Sequence, residues 1–320
     1  VEKPVQIISG ERGVLVDVTP NDSEISAARA RLGDNGFIAY YACTLDTVTQ
    51  AQRAREMSDM AAAFGLAYKV YNANNDAATQ AAQLKRAQSD GATAVILCPL
   101  DINLLGDTIN TLKAANIPLA YLTLVDSGFY GVKQDSNSYS IGQQVGRLAG
   151  QIFKQEQPPP ANVVLLNMPG SDVGSNRAAG MEDGFRENEP NVTFLGPFDG
   201  FTQDDSYASI KKLLQDKTAF NVVLSMTDAG AYGAIKALQE AGFSPNSVIV
   251  VSANGESYAQ ELIREGEFLR GTVEINHQES SQIAIDSIIK MLAGDPVPET
   301  ISVTPGDILT RDVLIAKGSN

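Results

Sequence analysis

Short apolar runs alternate with longer amphipathic segments along the chain from Phe37 onward. Continuous apolar stretches of four to eight residues are typical of strands buried on both faces of a sheet. This pattern predicts ten strands, at 37–43, 67–72, 93–98, 117–122, 130–134, 162–168, 192–197, 221–226, 247–253 and 270–275.

Most of the segments between these runs have helical periodicity. In the first, Met57, Met60, Ala61 and Phe64 recur at steps of three and four residues. Helices are predicted at 47–64, 77–90, 103–115, 138–156, 174–188, 203–217, 228–241, 256–266 and 278–293. Buried strands that alternate with helices predict an α/β fold with parallel sheets covered on both faces.

The number of strands indicates two domains. Ten strands are too many for one typical doubly wound sheet, and a second series of strands and helices begins after the break KQEQPPPAN. A length of 320 residues also favours two domains. We therefore predict two Rossmann-like, doubly wound lobes. Residues 1–36 lack a clear period, and we interpret them as an N-terminal extension.

Charge and residue usage exclude several classes of function. With 24 basic and 38 acidic residues the net charge is −14, which argues against a nucleic-acid partner. Two cysteines exclude a disulfide framework, and with a single histidine they disfavour a zinc site. The sequence has no P-loop and no nucleophile elbow. We expect neither an enzyme nor a cofactor. No apolar run is long enough to span a bilayer, and no signal peptide is visible at Val1.

Polar residues follow nearly every predicted strand, as in CTLDTVT, CPLD, FDGFT, SMTD and SANG. Ligands of open α/β sheets bind outside the carboxyl ends of the strands. The same residue types also cap helices and form turns. Each of these side chains is therefore open to two interpretations, a helix cap or a ligand contact.

Several stretches, taken together and in this order, resemble the periplasmic sugar-binding proteins of the ribose-binding type. The stretches are CTLDTVTQAQ, NNDAATQAAQLKRAQSDGATAVILCPLD, AANIPLAYL, SNRAAGMEDGF, MTDAGAYGAIKALQEAG and LRGTV. The resemblance covers about residues 37–320. The fold of this family is shared with the effector domains of lactose-repressor-like regulators.

The resemblance implies two lobes joined by three chain crossings, near Asn137, Asn276 and Val303. The first lobe would comprise 37–136 plus 277–302, and the second 137–276 plus 303–320. A ligand would bind in the cleft between the lobes, which close by hinge motion. The implied protein is a monomeric, extracytoplasmic receptor that presents its ligand to an ABC permease.

In the first lobe, the resemblance places Asp46, Thr47 and Gln50 at the ligand, in the loop after the first strand. Cys98 and Thr123, at the ends of the third and fourth strands, would also contact it. Two features depart from the family. Relatives have aromatic residues where this chain has Thr49 and Gln50, and an Asp-Arg pair where it has Thr123-Leu124.

The second lobe matches the family pattern better. Relatives bind the ligand through an arginine at the position of Arg177 and stack an aromatic side chain at that of Phe201. The further positions implied by the resemblance are Asn137, Thr227, Asp228, Asn254 and Asn276.

These residue types suit a sugar, a polyol or a sugar derivative. Side-chain amides both donate to and accept from hydroxyls, and arginine offers a rigid fork of donors. Phe201 would cover C–H groups. Arg177, which has no evident carboxylate partner in the sequence, also suits an anionic ligand.

Three points stay open. A receptor of the same fold could instead signal to a membrane kinase or a chemoreceptor. Cys43 and Cys98 are either two small buried side chains or a disulfide, since the fold places their strands side by side. His277 is either a hinge or packing residue or a ligand contact.

Overall fold

The computed structural model describes residues 3–126 and 128–317, which form two compact units. The first unit comprises the residues up to Ser136 together with Asn276–Thr304. The second comprises Asn137–Ile275 and the residues from Pro305 on. The chain therefore passes between the units three times.

Strands and helices alternate through most of the described chain. The first stretch in the first unit contains β1 (Gln6–Gly13), α1 (Leu15–Val18), α2 (Asp22–Leu32), β2 (Phe37–Ala42), α3 (Val48–Ala63), β3 (Tyr68–Asn72), α4 (Ala77–Lys85), β4 (Ala92–Leu97), α5 (Ile102–Ala114), β5 (Leu119–Tyr121) and β6 (Lys133–Asp135). The second unit follows with α6 (Ser138–Glu156), β7 (Ala161–Asn167), α7 (Asp172–Arg186), β8 (Val192–Asp199), α8 (Gln203–Gln215), β9 (Val222–Ser225), α9 (Asp228–Glu240), β10 (Ile249–Asn254), α10 (Ser257–Glu265) and β11 (Leu269–Ile275). The chain then adds α11 (His277–Ala293) and β12 (Pro296–Ser302) to the first unit, and β13 (Pro305–Thr310) and α12 (Arg311–Lys317) to the second.

The first unit contains two parallel sheets. One has the strand order β3-β2-β4-β5, and the other has the order β1-β12-β6. Every residue of β2 is buried, as its apolar sequence predicts. Ile38 and Tyr40 of this strand pack in one core with Met57 of α3 and Ile285 of α11.

The second unit has one six-stranded sheet with the order β13-β11-β10-β9-β7-β8. All neighbouring strands are parallel except β13, which runs antiparallel to β11. The prediction of an α/β fold with two units and parallel sheets is confirmed.

Residues 3–36, interpreted from the sequence as an N-terminal extension, contribute elements to the first unit. Strand β1 pairs with β12, and Lys290 of α11 donates a 2.7 Å hydrogen bond to the buried Glu24 of α2. The sequence pattern does not predict β1 because most of its residues are exposed. It does not predict β12 because this strand contains two prolines, which are disfavoured inside sheets.

A disulfide joins Cys43 and Cys98, whose Cα atoms lie 5.3 Å apart. Cys43 follows β2 and Cys98 follows β4, and these two strands are neighbours in the sheet. The disulfide therefore ties together two of the loops that were predicted to contact ligand.

Replacement of both cysteines by alanine should lower the free energy of unfolding of the first unit. The bond closes a loop of 55 residues, for which chain entropy gives roughly 4 kcal/mol. Urea denaturation of the double variant, and of the natural protein with and without reductant, measures the effect. The variant should not respond to reductant. A natural protein that is equally stable in both conditions would show that the bond contributes nothing.

A buried acid, Asp286, lies on α11. The residue is 2% exposed, and its carboxylate accepts a 3.4 Å hydrogen bond from the side-chain amide of Gln282. Burial raises the pKa of Asp286 to about 7. In the unfolded chain the carboxyl has an ordinary pKa near 3.8. Ionisation of Asp286 therefore opposes folding, and stability is lost as the pH rises from about 4 to about 7.

Asp286→Asn should remove this loss of stability at high pH, because asparagine does not ionise. We expect the variant to be more stable than the natural protein at pH 8 by roughly 1–4 kcal/mol, with little or no gain at pH 4, because each unit of pKa corresponds to about 1.4 kcal/mol. Urea unfolding at both pH values measures the difference. Asp107→Asn, at an exposed position of α5, is the control. An equal effect of Asp286→Asn at both pH values would contradict the prediction.

Candidate functional site

The direction of the strands brings the predicted ligand residues of each unit toward one edge of a sheet. In the first unit, the loops after β2, β4 and β5 leave the sheet at its carboxyl edge. In the second unit, the loops after β7, β8, β9 and β10 do the same. Such edges are where open α/β sheets bind ligands.

The loop between β2 and α3 combines a helix cap with two further candidate residues. Thr47 caps α3, because its Oγ1 accepts a 3.2 Å hydrogen bond from the Gln50 amide. Gln50 is buried, and its Oε1 accepts a 3.3 Å bond from the Tyr40 hydroxyl. Asp46 is exposed in the same loop. Thr47 is therefore a helix cap, whereas contact of the exposed Asp46 with ligand stays a prediction.

Arg53 is a further buried residue of this region. It is not among the ligand residues predicted from the sequence. Its side chain is 7% exposed, and its Nη2 lies 2.6 Å from Nδ1 of His277. Since a guanidinium has only donors, Nδ1 is the acceptor. Burial lowers the pKa of Arg53. Helical spacing is the signal that could have found it, because residues 50, 53 and 57 share one helix face.

The other first-unit candidates have structural contacts of their own. Asn276 caps α11, accepting a 3.2 Å bond from the Glu279 amide and donating a 2.8 Å bond to the Glu279 carboxylate. Cys98 has no thiol because of its disulfide, and its carbonyl accepts a 2.8 Å bond from Gln80. Thr123 is half-buried after β5. The Arg53–His277 contact joins α3 to the first residue of α11, which follows Asn276.

Arg177 lies on α7 in the second unit, and its side chain is 5% exposed. It donates a 2.9 Å bond to the carbonyl of Met226 and a 3.0 Å bond to Oγ of Ser138. Burial lowers its pKa to about 10. The backbones of α6 and α7 are close here, because a Cβ added at Gly142 would overlap the carbonyl of Arg177.

Thr227 connects two loops near this arginine. Its Oγ1 accepts a 3.0 Å bond from the Gly230 amide, which caps α9, and donates a 2.8 Å bond to the carbonyl of Phe201. Phe201 itself is buried. Because Met226 precedes Thr227, one corner of the unit contains Arg177, Thr227 and the loop of Phe201.

Asp228 is fully buried among protein donors. Its carboxylate accepts hydrogen bonds from Ser252 and, at 2.7 Å each, from Thr272 and from the Glu256 amide. Desolvation outweighs these bonds and raises the pKa of Asp228 to about 7. The contacts show a carboxylate that holds the ends of β10 and β11 in place.

The two remaining candidates have positive φ angles. Asn254, at the end of β10, has φ of 133° and is buried. Asn137 has φ of 52° and caps α6, accepting a 3.1 Å bond from the Ser140 amide. Asn137 precedes Ser138, so it lies one residue from a partner of Arg177.

Comparison with known families gives one match that covers most of the chain. The model of the periplasmic binding protein domain matches residues 47–296. The chain belongs to this family. The predicted membership of the periplasmic binding proteins is thereby confirmed, and the relatives below support the ribose type.

Curated members of the family are similar over about three quarters of the chain. The ribose import binding protein RbsB of Escherichia coli (strain K12) is 23% identical over 71% of this chain and 75% of its own length. A xylitol-binding protein of Mycolicibacterium smegmatis is 25% identical over 75% of this chain and 68% of its own length.

A solved structure of this periplasmic binding protein fold is similar over most of the chain. It is a protein from Mycobacterium smegmatis in complex with β-D-fucofuranose, with a TM-score of 0.79 and 20% identity. The likeness covers 89% of this chain and 94% of that one. It supports the fold described above.

Two features are absent from the part of the chain that the structure describes, a membrane-spanning helix and a cluster of metal ligands. Within 3–126 and 128–317, no helix combines the length and apolar character needed to cross a bilayer. The same residues contain no group of three or more His, Cys, Asp or Glu side chains that could hold a metal ion.

The contacts of Thr227 predict a loss of stability in the absence of ligand. Thr227→Val removes the cap and the bond to Phe201, so the free energy of unfolding should fall by about 1–2 kcal/mol. Thr227→Ser, which keeps the hydroxyl, is the matched control and should stay close to the natural protein. Denaturant unfolding measures both. A valine variant as stable as the serine variant would show that the hydroxyl does not stabilise the unit.

Proposed function

We propose that this protein is an extracytoplasmic solute-binding receptor that delivers a small polyhydroxylated ligand to an ABC importer. The observation that carries the proposal is the family match over residues 47–296. The polar and charged side chains at the carboxyl edge of each unit support it. The proposal covers binding and release of the ligand without turnover.

The residues proposed to bind the ligand suit hydroxyl groups. The amides of Gln50 and Asn254 can donate and accept, as a hydroxyl requires. Arg177 supplies further donors, and Phe201 offers an aromatic face for C–H groups. Names of similar proteins agree with this class, since they include ribose, xylitol and fucofuranose.

The helix caps are proposed to have a different role from the ligand contacts. The hydroxyls of Thr47 and Thr227 accept from backbone amides, which leaves them less free to bind a ligand. The carboxylate of Asp228 is likewise occupied by protein donors. We propose that these three residues position the loops that carry Asp46, Gln50 and Phe201.

The three chain crossings suggest how binding would be coupled to transport. A ligand that contacts residues of both units would stabilise a closed conformation of the protein. Residues near the chain crossings would change their backbone angles during this closure. The permease would then recognise this closed arrangement. In this proposal Asn137 and Asn276, next to two of the crossings, link ligand contact to the hinge.

A thermal-shift screen of sugars, polyols and sugar acids tests the proposal. A ligand at a hundredfold excess over its Kd should add about 2.7 kcal/mol to the free energy of unfolding, and the melting temperature should rise. Arg177→Ala should abolish this shift and leave the melting temperature without ligand nearly unchanged.

Arg147→Ala is the matched control, because Arg147 is an exposed arginine of the second unit that pairs with Glu187. This variant should keep the full ligand-induced shift. Absence of a shift for every compound would contradict the receptor proposal. Strong destabilisation of unliganded Arg177→Ala would instead indicate a structural role for that arginine.

A further inference from the structure

The guanidinium of Arg177 is a buried cation without a carboxylate partner in the part of the chain that the structure describes. Its two hydrogen bonds go to the carbonyl of Met226 and the hydroxyl of Ser138, both neutral groups. The Nε donor is buried and has no hydrogen-bond partner among the described residues. These contacts use two of the five N–H donors of the side chain and none of them neutralises its charge.

The two buried acids among the described residues of the second unit are occupied elsewhere. Asp228 is surrounded by Ser252, Thr272 and the Glu256 amide. The Glu256 carboxylate accepts a 2.9 Å bond from the Tyr232 hydroxyl. Desolvation lowers the pKa of Arg177, and no neighbouring charge among the described residues raises it.

A buried charge without a partner is unfavourable. Transfer of an ion out of water is unfavourable even after the protein relaxes, and an opposite charge with good geometry offsets that cost. A neutral hydroxyl can accept a hydrogen bond from Arg177 but leaves its charge uncompensated. A carboxylate or phosphate offers two oxygens that match the guanidinium fork.

The first unit contains a second buried guanidinium, that of Arg53. It donates to His277, a neutral acceptor at Nδ1, and its Nε also has no hydrogen-bond partner within 3–126 and 128–317. Glu56 lies one turn away and attracts the charge, but its carboxylate accepts bonds from Gln52 and Ser281. Each unit thus has a buried arginine with at least one unused donor.

We propose that the ligand is a polyhydroxylated anion, bound through its acidic group by Arg177. This inference rests on the proposed function, since it specifies the ligand of the same receptor. A carboxylate of a sugar acid and a phosphate of a sugar phosphate share the required chemistry. Arg53 gives the first unit a second donor for the same class of ligand.

Matched ligand sets test the proposal by isothermal titration calorimetry. The first set is D-ribose, D-ribonate and D-ribose 5-phosphate. The second set is D-galactose, D-galactonate and D-galactose 6-phosphate. The third set is xylitol and D-xylonate. In at least one set an acidic member should bind at least ten times more tightly than its neutral counterpart. Preference for an aldonate would identify a carboxylate, and preference for a sugar phosphate would identify a phosphate.

The outcomes separate this inference from the proposed function. A neutral sugar or polyol that binds as tightly as its acidic counterparts, or more tightly, would overturn the anionic ligand and leave the receptor proposal intact. Failure of every compound to bind would contradict both.

Arg177→Gln links the preference to the residue. The variant should bind the acidic ligand at least about 30 times more weakly, because a desolvated ion pair is lost, while the affinity for the neutral counterpart changes less than about threefold. Arg147→Gln, which removes an exposed arginine paired with Glu187, should leave both affinities unchanged. An equal loss for the two ligands would show that Arg177 binds hydroxyls, and would overturn the proposal.

Arg177→Lys keeps the test decisive if the glutamine variant does not fold. Lysine retains the positive charge without the planar fork. This variant should still prefer the acidic ligand over the neutral one, although with lower affinity than the natural protein. Loss of the preference in a folded lysine variant would contradict the role of charge.

Discussion

The parallel direction of the strands is the constraint on which the candidate site depends. In a parallel sheet all carboxyl ends lie at one edge, so polar loops distant in sequence are delivered to the same side of the unit. In the first unit this edge carries the loop of Asp46 and Gln50. In the second it carries Phe201, Thr227 and Asn254. The disulfide between Cys43 and Cys98 fixes two such loops to each other.

The edges also contain the first turns of helices, whose backbone amides need acceptors. Thr47, Thr227, Asn137 and Asn276 supply these acceptors. Polar residues after a strand therefore include both caps and residues that we propose as ligand contacts, and composition does not distinguish them. The hydrogen bonds do, because they show which side chains are occupied by the backbone.

Buried strands and amphipathic helices could be predicted because their patterns reflect burial directly. Strand β2 is apolar throughout and buried throughout. Strand β1 was not predicted because most of its residues are exposed. Strand β12 was not predicted because it contains two prolines. Arg177 was selected through a family motif, whereas Arg53 was not, since arginines on helices are usually exposed. The carboxylate of Asp228 accepts hydrogen bonds from Ser252 and Thr272. These residues are distant in sequence, so no local pattern predicts the contacts.

The central proposal is that a receptor of the periplasmic binding protein family binds the acidic group of its ligand through Arg177, the buried arginine of the second unit. A crystal structure with the compound that gives the largest thermal shift tests it most directly. We expect an acidic group of the ligand within hydrogen-bond distance of the Arg177 guanidinium. A ligand bound away from Arg177 would contradict the proposal.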